Sequence, residues 1–284
     1  MHVDANEFVS VIAPMLFRSA AVASGDSSSR AIRKAREFVP GSETEIDRAS
    51  RVDVLSESDL IIQEMLLSVV LKHWPFVSVL VEEETPTKAR FAASSAFQVL
   101  IDPIDGTKNY LKGDRRYCHI VSLISGNEMS ATLVYSHASG VLFVAVRGSQ
   151  AYALSASSQA LSVQIPESAA KTFFHHVSRI PEAALRELGS VGFEVAVSTQ
   201  NASDILTLLS GEASGFISYM PLVYDVWSPG MIIQEAGGWL SDWFGRPLVF
   251  DGRARLPHIL VAASSQVAAP VIERLSKHVR PVAQ

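Results

Sequence analysis

The chain has 284 residues, 48% of them hydrophobic and 19% charged, a balance that suits a globular protein with a sizeable core. A net charge of −5 with no basic stretch argues against a nucleic-acid surface, so no nucleic-acid partner is expected. The single cysteine, Cys118, excludes an intramolecular disulfide and points to an intracellular, cytoplasmic setting.

The N-terminal MHVDANEFVS lacks a charged segment followed by an apolar run, so no signal peptide is expected. No apolar stretch reads as approaching the roughly 20 residues that span a bilayer, and no membrane partner is expected. ANEFVSVIAPMLFRSAAVASG reads as a first helix, interrupted at Pro14 and stopped at Gly25. The polar, Gly/Ser-punctuated SSRAIRKAREFVPGSETEIDRASRV reads as a mobile loop. SESDLIIQEMLLSVVLKHW has a serine start, apolar residues at helical spacing and Pro75 beyond it, which are helix start and stop signals. FVSVLVEE and FQVLIDPID read as buried strands whose ends carry acids, and CHIVSLISG, SATLVYSH and GVLFVAVRG as strands of an antiparallel sheet.

After about residue 150 the texture changes. FFHHVSR, FEVAVST and SGFISY read as strands, and ASDILTLLSGE and PGMIIQEAGG as helices, an α/β alternation. The length exceeds one typical domain of about 150 residues, so two closely packed halves are expected, 1–150 and 151–284.

Four acidic clusters each follow an apolar stretch: Asp53 and Asp59, Glu82 to Glu84, Asp102 and Asp105, and Asp225. A lone acid at such a place is ordinarily a cap or a solvated turn residue, and Asp225 before a helical pattern looks like an N-cap. As a set they ask for more. Carboxylates gathered in one cleft raise each other's pKa unless a cation neutralises them. Mg²⁺ takes oxygen ligands and is commonly held by one or two carboxylates plus substrate phosphate. Gly106-Thr107 fits that chemistry, because glycine admits close approach of backbone N–H groups to an anion.

DPIDGTKNY resembles the signature of the inositol monophosphatase family, the lithium-sensitive, Mg²⁺-dependent phosphatases of small phosphate esters. YDVWSPGMIIQEAGG resembles the family's second signature, VLVEEET its strand ending in paired glutamates, and VDVLSESD its upstream acidic segment. The four stand in family order from about residue 50 to 265.

The resemblance implies a layered α-β-α-β-α sandwich of mixed α+β character, with the active site between its halves. It implies Glu83, Asp102, the Ile104 carbonyl, Asp105 and Asp225 as ligands of two or three Mg²⁺ ions. Gly106 and Thr107 would offer N–H groups to phosphate, while Asp59, Thr107 and Glu83 would orient and activate the attacking water. No covalent intermediate is implied, the partner is a small phosphorylated metabolite, and a homodimer is expected.

This chain departs from the family at several places. Glu82 stands where glycine is usual, Tyr224 where tryptophan precedes the aspartate, and Ser228-Pro229 reads as a later helix start. Ser218 stands where inositol-specific members carry a glutamate. Lys108 is more typical of 3′(2′),5′-bisphosphate nucleotidases, whereas Asn109-Tyr110 is monophosphatase-like. The substrate is thus open between an inositol or sugar phosphate, a nucleotide bisphosphate and histidinol phosphate. A non-catalytic relative that binds a phosphorylated ligand is the competing class. Arg115-Arg116 is either a surface pair or a contact to a second phosphate. His175-His176 lacks partners at ligand spacing, and His119 and Cys118 read as packing residues.

Overall fold

Helix α1, Ala5–Gly25, runs through Pro14 rather than breaking there. Proline in a helix interior costs about 3 kcal/mol. Phe8, Ile12 and Leu16 on the opposite face are fully buried, and each contributes about 1.5–3 kcal/mol on leaving water. Packing therefore outweighs the lost hydrogen bond, and the exposed Pro14 ring faces outward. The expectation that no apolar stretch approaches membrane-spanning length does not hold for this helix. By length and composition α1 is apolar enough to cross a membrane, yet its buried stripe lies against a sheet.

The computed structural model describes residues 2–25, 31–35, 52–156, 160–167, 170–176, 180–256 and 258–279. Part of the polar stretch expected to be a loop is instead a strand: β1, Ala31–Ala35, runs antiparallel to β2, Val52–Ser56, which begins at the end of that stretch. Residues 36–51 lie outside the described residues. Helix α2, Glu57–His73, starts on a capping box: the Ser56 hydroxyl accepts from the Asp59 N–H while the Asp59 carboxylate accepts from the Ser56 N–H.

The first sheet has seven strands in sequential order: β3 (Ser78–Val81), β4 (Phe97–Asp105), β5 (Cys118–Ser125), β6 (Glu128–Ser136), β7 (Val141–Val146), β8 (Tyr152–Leu154) and β9 (Ala160–Ser162). All its pairings are antiparallel except β3 with β4. The sheet thus runs to Ser162, past residue 150. A five-residue helix, α3 (Thr107–Leu111), follows β4 after Gly106.

The second sheet has the order β11 (Glu194–Val197), β10 (Thr172–His175), β12 (Gly215–Tyr219), β14 (His258–Ala262), β13 (Trp239–Ser241). Between its strands come α4 (Glu182–Ser190), α5 (Asn201–Leu206) and α6 (Val223–Glu235), and α7 (Ser265–Leu275) closes the chain's described part. Helix α6 begins at Val223 with Leu222 as its cap, so Ser228-Pro229 lies inside it rather than at its start. The reason is burial on every side: Val226, Trp227, Ile232 and Ile233 are all enclosed, and the Ser228 hydroxyl accepts from Ser122 Oγ at 2.8 Å instead of capping.

Three apolar cores separate five layers. Helices α1 and α2 cover the outer face of the first sheet, with Phe8, Leu16, Ile62 and Leu66 against Val99, Ile101 and Val121. Helices α5 and α6 fill the space between sheets, where Ile205, Val226 and Met231 meet Leu100, Ile120, Phe216 and Val261. Helices α4 and α7 cover the far face through Leu188, Ala268, Val271 and Leu275. This is the α-β-α-β-α sandwich.

Gly215 lies where the middle strand of the second sheet passes Phe173, and an added Cβ would collide with that ring and sit 2.8 Å from the Val261 carbonyl. Gly215→Ala is expected to destabilise the fold by about 1–3 kcal/mol through overpacking. Chemical denaturation checks this; an unchanged midpoint would contradict the packing described.

Candidate active site

Residues three apart in a regular strand point to opposite faces of the sheet. Strand β4 breaks that rule where its acids stand: Asp102 pairs with Ile120 but Asp105 with Cys118, so the strand gains one residue on its neighbour. Pro103 has no N–H to give to the ladder, and such positions become bulges. The consequence is visible in the packing. Leu100 faces the core between the sheets, while both Ile101 and Ile104 belong to the outer core beneath α1 and α2. Asp102 and Asp105 are thereby turned to the same side.

Asp225 completes the arrangement from the third position of α6. One oxygen or more from each of Asp102, Asp105 and Asp225 lies within 4.8 Å of those of the other two. Asp102 and Asp105 are buried, at 2% and 8% exposure, so little water screens their repulsion. Burial first, and then the neighbouring acids, push both carboxyls well above the usual carboxylate range. Asp102 Oδ1 has no hydrogen-bond partner, as does Asp59 Oδ1. A set of hard oxygen donors with an orphaned buried atom fits Mg²⁺ or a similar divalent cation.

Asp105 is also held from the second half of the chain. Gln200 donates to its carboxylate and, at 3.0 Å, to its backbone carbonyl; the Ala202 N–H donates to the carboxylate at 2.9 Å. Asn201 Nδ2 donates to Asp225 at 3.3 Å. The sequence reading missed all three residues. The run Ser198 to Asp204 is rich in short polar side chains at a helix start, but that pattern looks like any cap. Gln200 is indeed the N-cap of α5, its side chain accepting from the Ser203 N–H.

Asp59 serves its capping box with Oδ2, at 2.6 Å from both Ser56 N and Ser56 Oγ, which leaves Oδ1 available. Burial pushes its carboxyl up to about 7, opposed by the Ser56 hydrogen bonds and assisted by Glu83. Thr107 directs its hydroxyl to the Ile104 carbonyl at 3.0 Å, so two of the residues expected at the site bond each other. Glu83 is buried, and Gln63 of α2 brackets its backbone, accepting from Glu83 N at 3.0 Å and donating to Glu83 O at 2.6 Å. Gly106 caps α3 at φ +99°, a left-handed conformation; a Cβ there would lie 2.6 Å from Gln200 Cγ and 3.1 Å from the Arg116 carbonyl.

Beneath the bulge lies a polar network that the sequence did not announce. The fully buried His119 bonds the Pro103 carbonyl through Nδ1, and its Nε2 faces His137 Nε2 at 2.9 Å. Burial holds the two rings at about 4 and about 3, so both are neutral near pH 7. Asn109 and Tyr110, read from sequence as substrate hints, are structural instead. Asn109 donates to the Arg116 carbonyl at 2.9 Å and Tyr110 lies 2.9 Å from the Ser58 hydroxyl. Of that trio Lys108 alone is exposed. Arg116 pairs with Asp114 at 2.6 Å, and Cys118 is fully buried with its thiol pushed upward.

The layered fold holds a cluster of buried acids suited to a divalent cation, and comparison with known proteins gives the family. The inositol monophosphatase family profile matches residues 16–280. Human inositol monophosphatase 1 is 24% identical over 245 residues, covering 83% of this chain and 84% of that protein. A putative Nus factor SuhB of Neisseria meningitidis serogroup B is 24% identical over 232 residues, covering 80% and 86%. The solved structure of an IMPase/NADP phosphatase complexed with Mg²⁺ and phosphate superimposes with a TM-score of 0.72 at 16% identity, covering 96% of each chain. The chain belongs to the inositol monophosphatase family and is a phosphatase, a hydrolase by class.

A carboxyl raised in the folded state binds extra protons there, so stability falls as pH rises between its unfolded and folded pKa values. For Asp59 that window runs from 3.8 to about 7, and Asp102 and Asp105 act in the same direction. The thermal midpoint in EDTA is therefore expected to be lower at pH 8 than at pH 5, and Mg²⁺ is expected to raise it at pH 8. A flat profile in EDTA would contradict the electrostatics.

Proposed function

We propose that this phosphatase hydrolyses a phosphate monoester of a small metabolite, using two or three Mg²⁺ ions. The single observation that carries the reading is the meeting of Asp102, Asp105 and Asp225, with Asp102 Oδ1 buried and unpartnered. Glu83, Asp102, the Ile104 carbonyl, Asp105 and Asp225 are the residues assigned to hold the ions. When bound, the ions supply positive charge to the phosphoryl group and lower the pKa of a water.

The remaining work falls to side chains and backbone. Asp59 Oδ1 accepts the proton of the attacking water; a carboxyl held at about 7 is poised near the working pH of a general base. Gly106 and Thr107 present backbone N–H groups to the phosphate, and the Gly106 conformation, locked between Gln200 and the Arg116 carbonyl, keeps that turn open. The Thr107 hydroxyl, while donating to the Ile104 carbonyl, keeps its lone pairs to accept from the water and orient it. Glu83, anchored to Gln63, steadies the edge of the site beside Asp59.

Substrate choice follows the surface around this centre. Ser218 is fully buried and strand-paired with Ile259, so it offers no contact to the hydroxyls of an inositol ring. The exposed Lys108 beside Thr107 favours a second reading within the class, a substrate with a further anionic group such as a nucleotide bisphosphate. Histidinol phosphate and sugar phosphates complete the candidate set. A homodimer and a cytoplasmic setting belong to the same proposal.

Phosphate release from a panel of these esters, with and without Mg²⁺, tests the reading. Activity is expected to need the metal, and Asp102→Asn is expected to lower kcat by on the order of 100-fold or more, the scale of losing one charge-stabilising group. Full turnover in EDTA would overturn the metal-dependent mechanism.

A further inference from the structure

We propose that the cavity at the end of α6 remote from Asp225 is a second binding site, and that it takes a basic α-amino acid. None of its residues belongs to the acid cluster, so the site stands apart from the metal-dependent reading.

Position separates the two sites. Helix α6 carries Asp225 in its first turn and ends at Glu235 in the cavity wall. Ten residues at about 1.5 Å each put these two acids about 15 Å apart along the helix. The second sheet agrees, because β10, β11 and β12 run parallel. Lys171, Phe193 and Ser214 line the cavity just before those strands begin, whereas Gln200 and Ala202, which hold Asp105, follow the far end of β11. The cavity has a volume of about 740 Å³, inside the roughly 300–1,000 Å³ of ordinary small-molecule sites. Main-chain bonds fix its walls. The Ala151 and Ile165 N–H groups donate to the Glu235 and Ala236 carbonyls at 3.1 and 3.3 Å, and the Glu194 N–H donates to the Lys171 carbonyl at 2.8 Å. A Cβ added at Gly237 would meet no atom within 4 Å, so the wall opens on free space there.

The charges select the ligand. Two carboxylates, Glu167 and Glu235, and one ammonium, Lys171, line the cavity. Such a lining disfavours a phosphate ester or any other dianion and leaves Lys171 for a single anionic group. Glu235 Oε1 accepts from the Gly148 N–H at 3.2 Å, and the carboxylate keeps further lone pairs for a cation. Gln150 and Gln164 add neutral donors and acceptors, while Ile165, Phe193 and Val267 give an apolar surface. A basic α-amino acid carries the inverse pattern of two cations, one carboxylate and an aliphatic stem. Its cations answer Glu167 and Glu235, its carboxylate answers Lys171, and its stem lies on the apolar surface.

Calorimetric titration with L-arginine, agmatine and L-citrulline tests the assignment, since agmatine lacks the carboxylate and citrulline the side-chain cation. L-Arginine is expected to bind with a Kd on the order of 1 mM, the scale for a ligand of about a dozen heavy atoms. Each of the other two is expected to bind about 3- to 5-fold more weakly, the scale of one ion pair open to solvent. Lys171→Met is expected to abolish the preference over agmatine and keep that over citrulline. Glu167→Gln combined with Glu235→Gln is expected to abolish the preference over citrulline. Each variant is read as a ratio between ligands, which a damaged fold does not reproduce. Asp102→Asn, at the other end of α6, is expected to bind L-arginine as wild type does. Equal affinity for the three ligands, or no saturable binding of L-arginine below about 10 mM, would overturn the proposal. So would a loss of L-arginine in Asp102→Asn with none in Lys171→Met, which puts the amino acid among the aspartates instead.

Discussion

Carboxylates crowded together inside a protein repel one another with little water to screen them, and this constraint organises the site. Asp102, Asp105 and Asp225 bring oxygen atoms within 4.8 Å, and at least two of the three are buried. Left alone they must take up protons or force the structure apart. The protein answers partly with its own donors: Gln200 and the Ala202 N–H on Asp105, Asn201 on Asp225, Ser56 on Asp59. Those donors stop short of Asp102 Oδ1, Asp59 Oδ1 and Glu82 Oε2. The unanswered charge is what a divalent cation would neutralise, and a phosphate ester binds where such cations are held.

The surrounding fold can be understood as support for that cluster. A bulge at Pro103 turns two acids to one side, and His119, backed by His137, grips the Pro103 carbonyl from below. The neutral histidines add no charge to an already charged neighbourhood. From the second half, the start of α5 reaches across to Asp105, and α6 carries Asp225 through a fully enclosed layer. The first sheet and the two helices of the middle layer therefore contribute to one site, and the apolar core they share fixes the distance.

Much of this was legible in the sequence, for identifiable reasons. The Gly25 stop marked the end of α1, the serine start and helical spacing marked α2, and apolar runs ending in acids marked β3 and β4. The acid motifs pointed to the family because their chemistry demands particular residues at particular separations. What stayed hidden depended on tertiary context. Nothing local shows that α6 starts before Ser228, since burial between two sheets sustains it through Pro229. The pairing of β1 with β2 joins segments separated by residues 36–51, a contact between distant segments that no local pattern encodes. Asp59 could be read either as a cap or as a residue that activates water, and the capping box takes one oxygen and leaves the other available. Asn109 and Tyr110 misled because a motif cannot tell a buried bracing residue from one that faces a ligand.

The central claim is that the buried acids form a metal-binding phosphatase centre. Anomalous diffraction from crystals soaked in Mn²⁺ and inorganic phosphate tests it most directly. Anomalous peaks are expected between Asp102, Asp105 and Asp225, with phosphate beside Gly106 and Thr107. A well-ordered site with no anomalous peak among these three aspartates would contradict it.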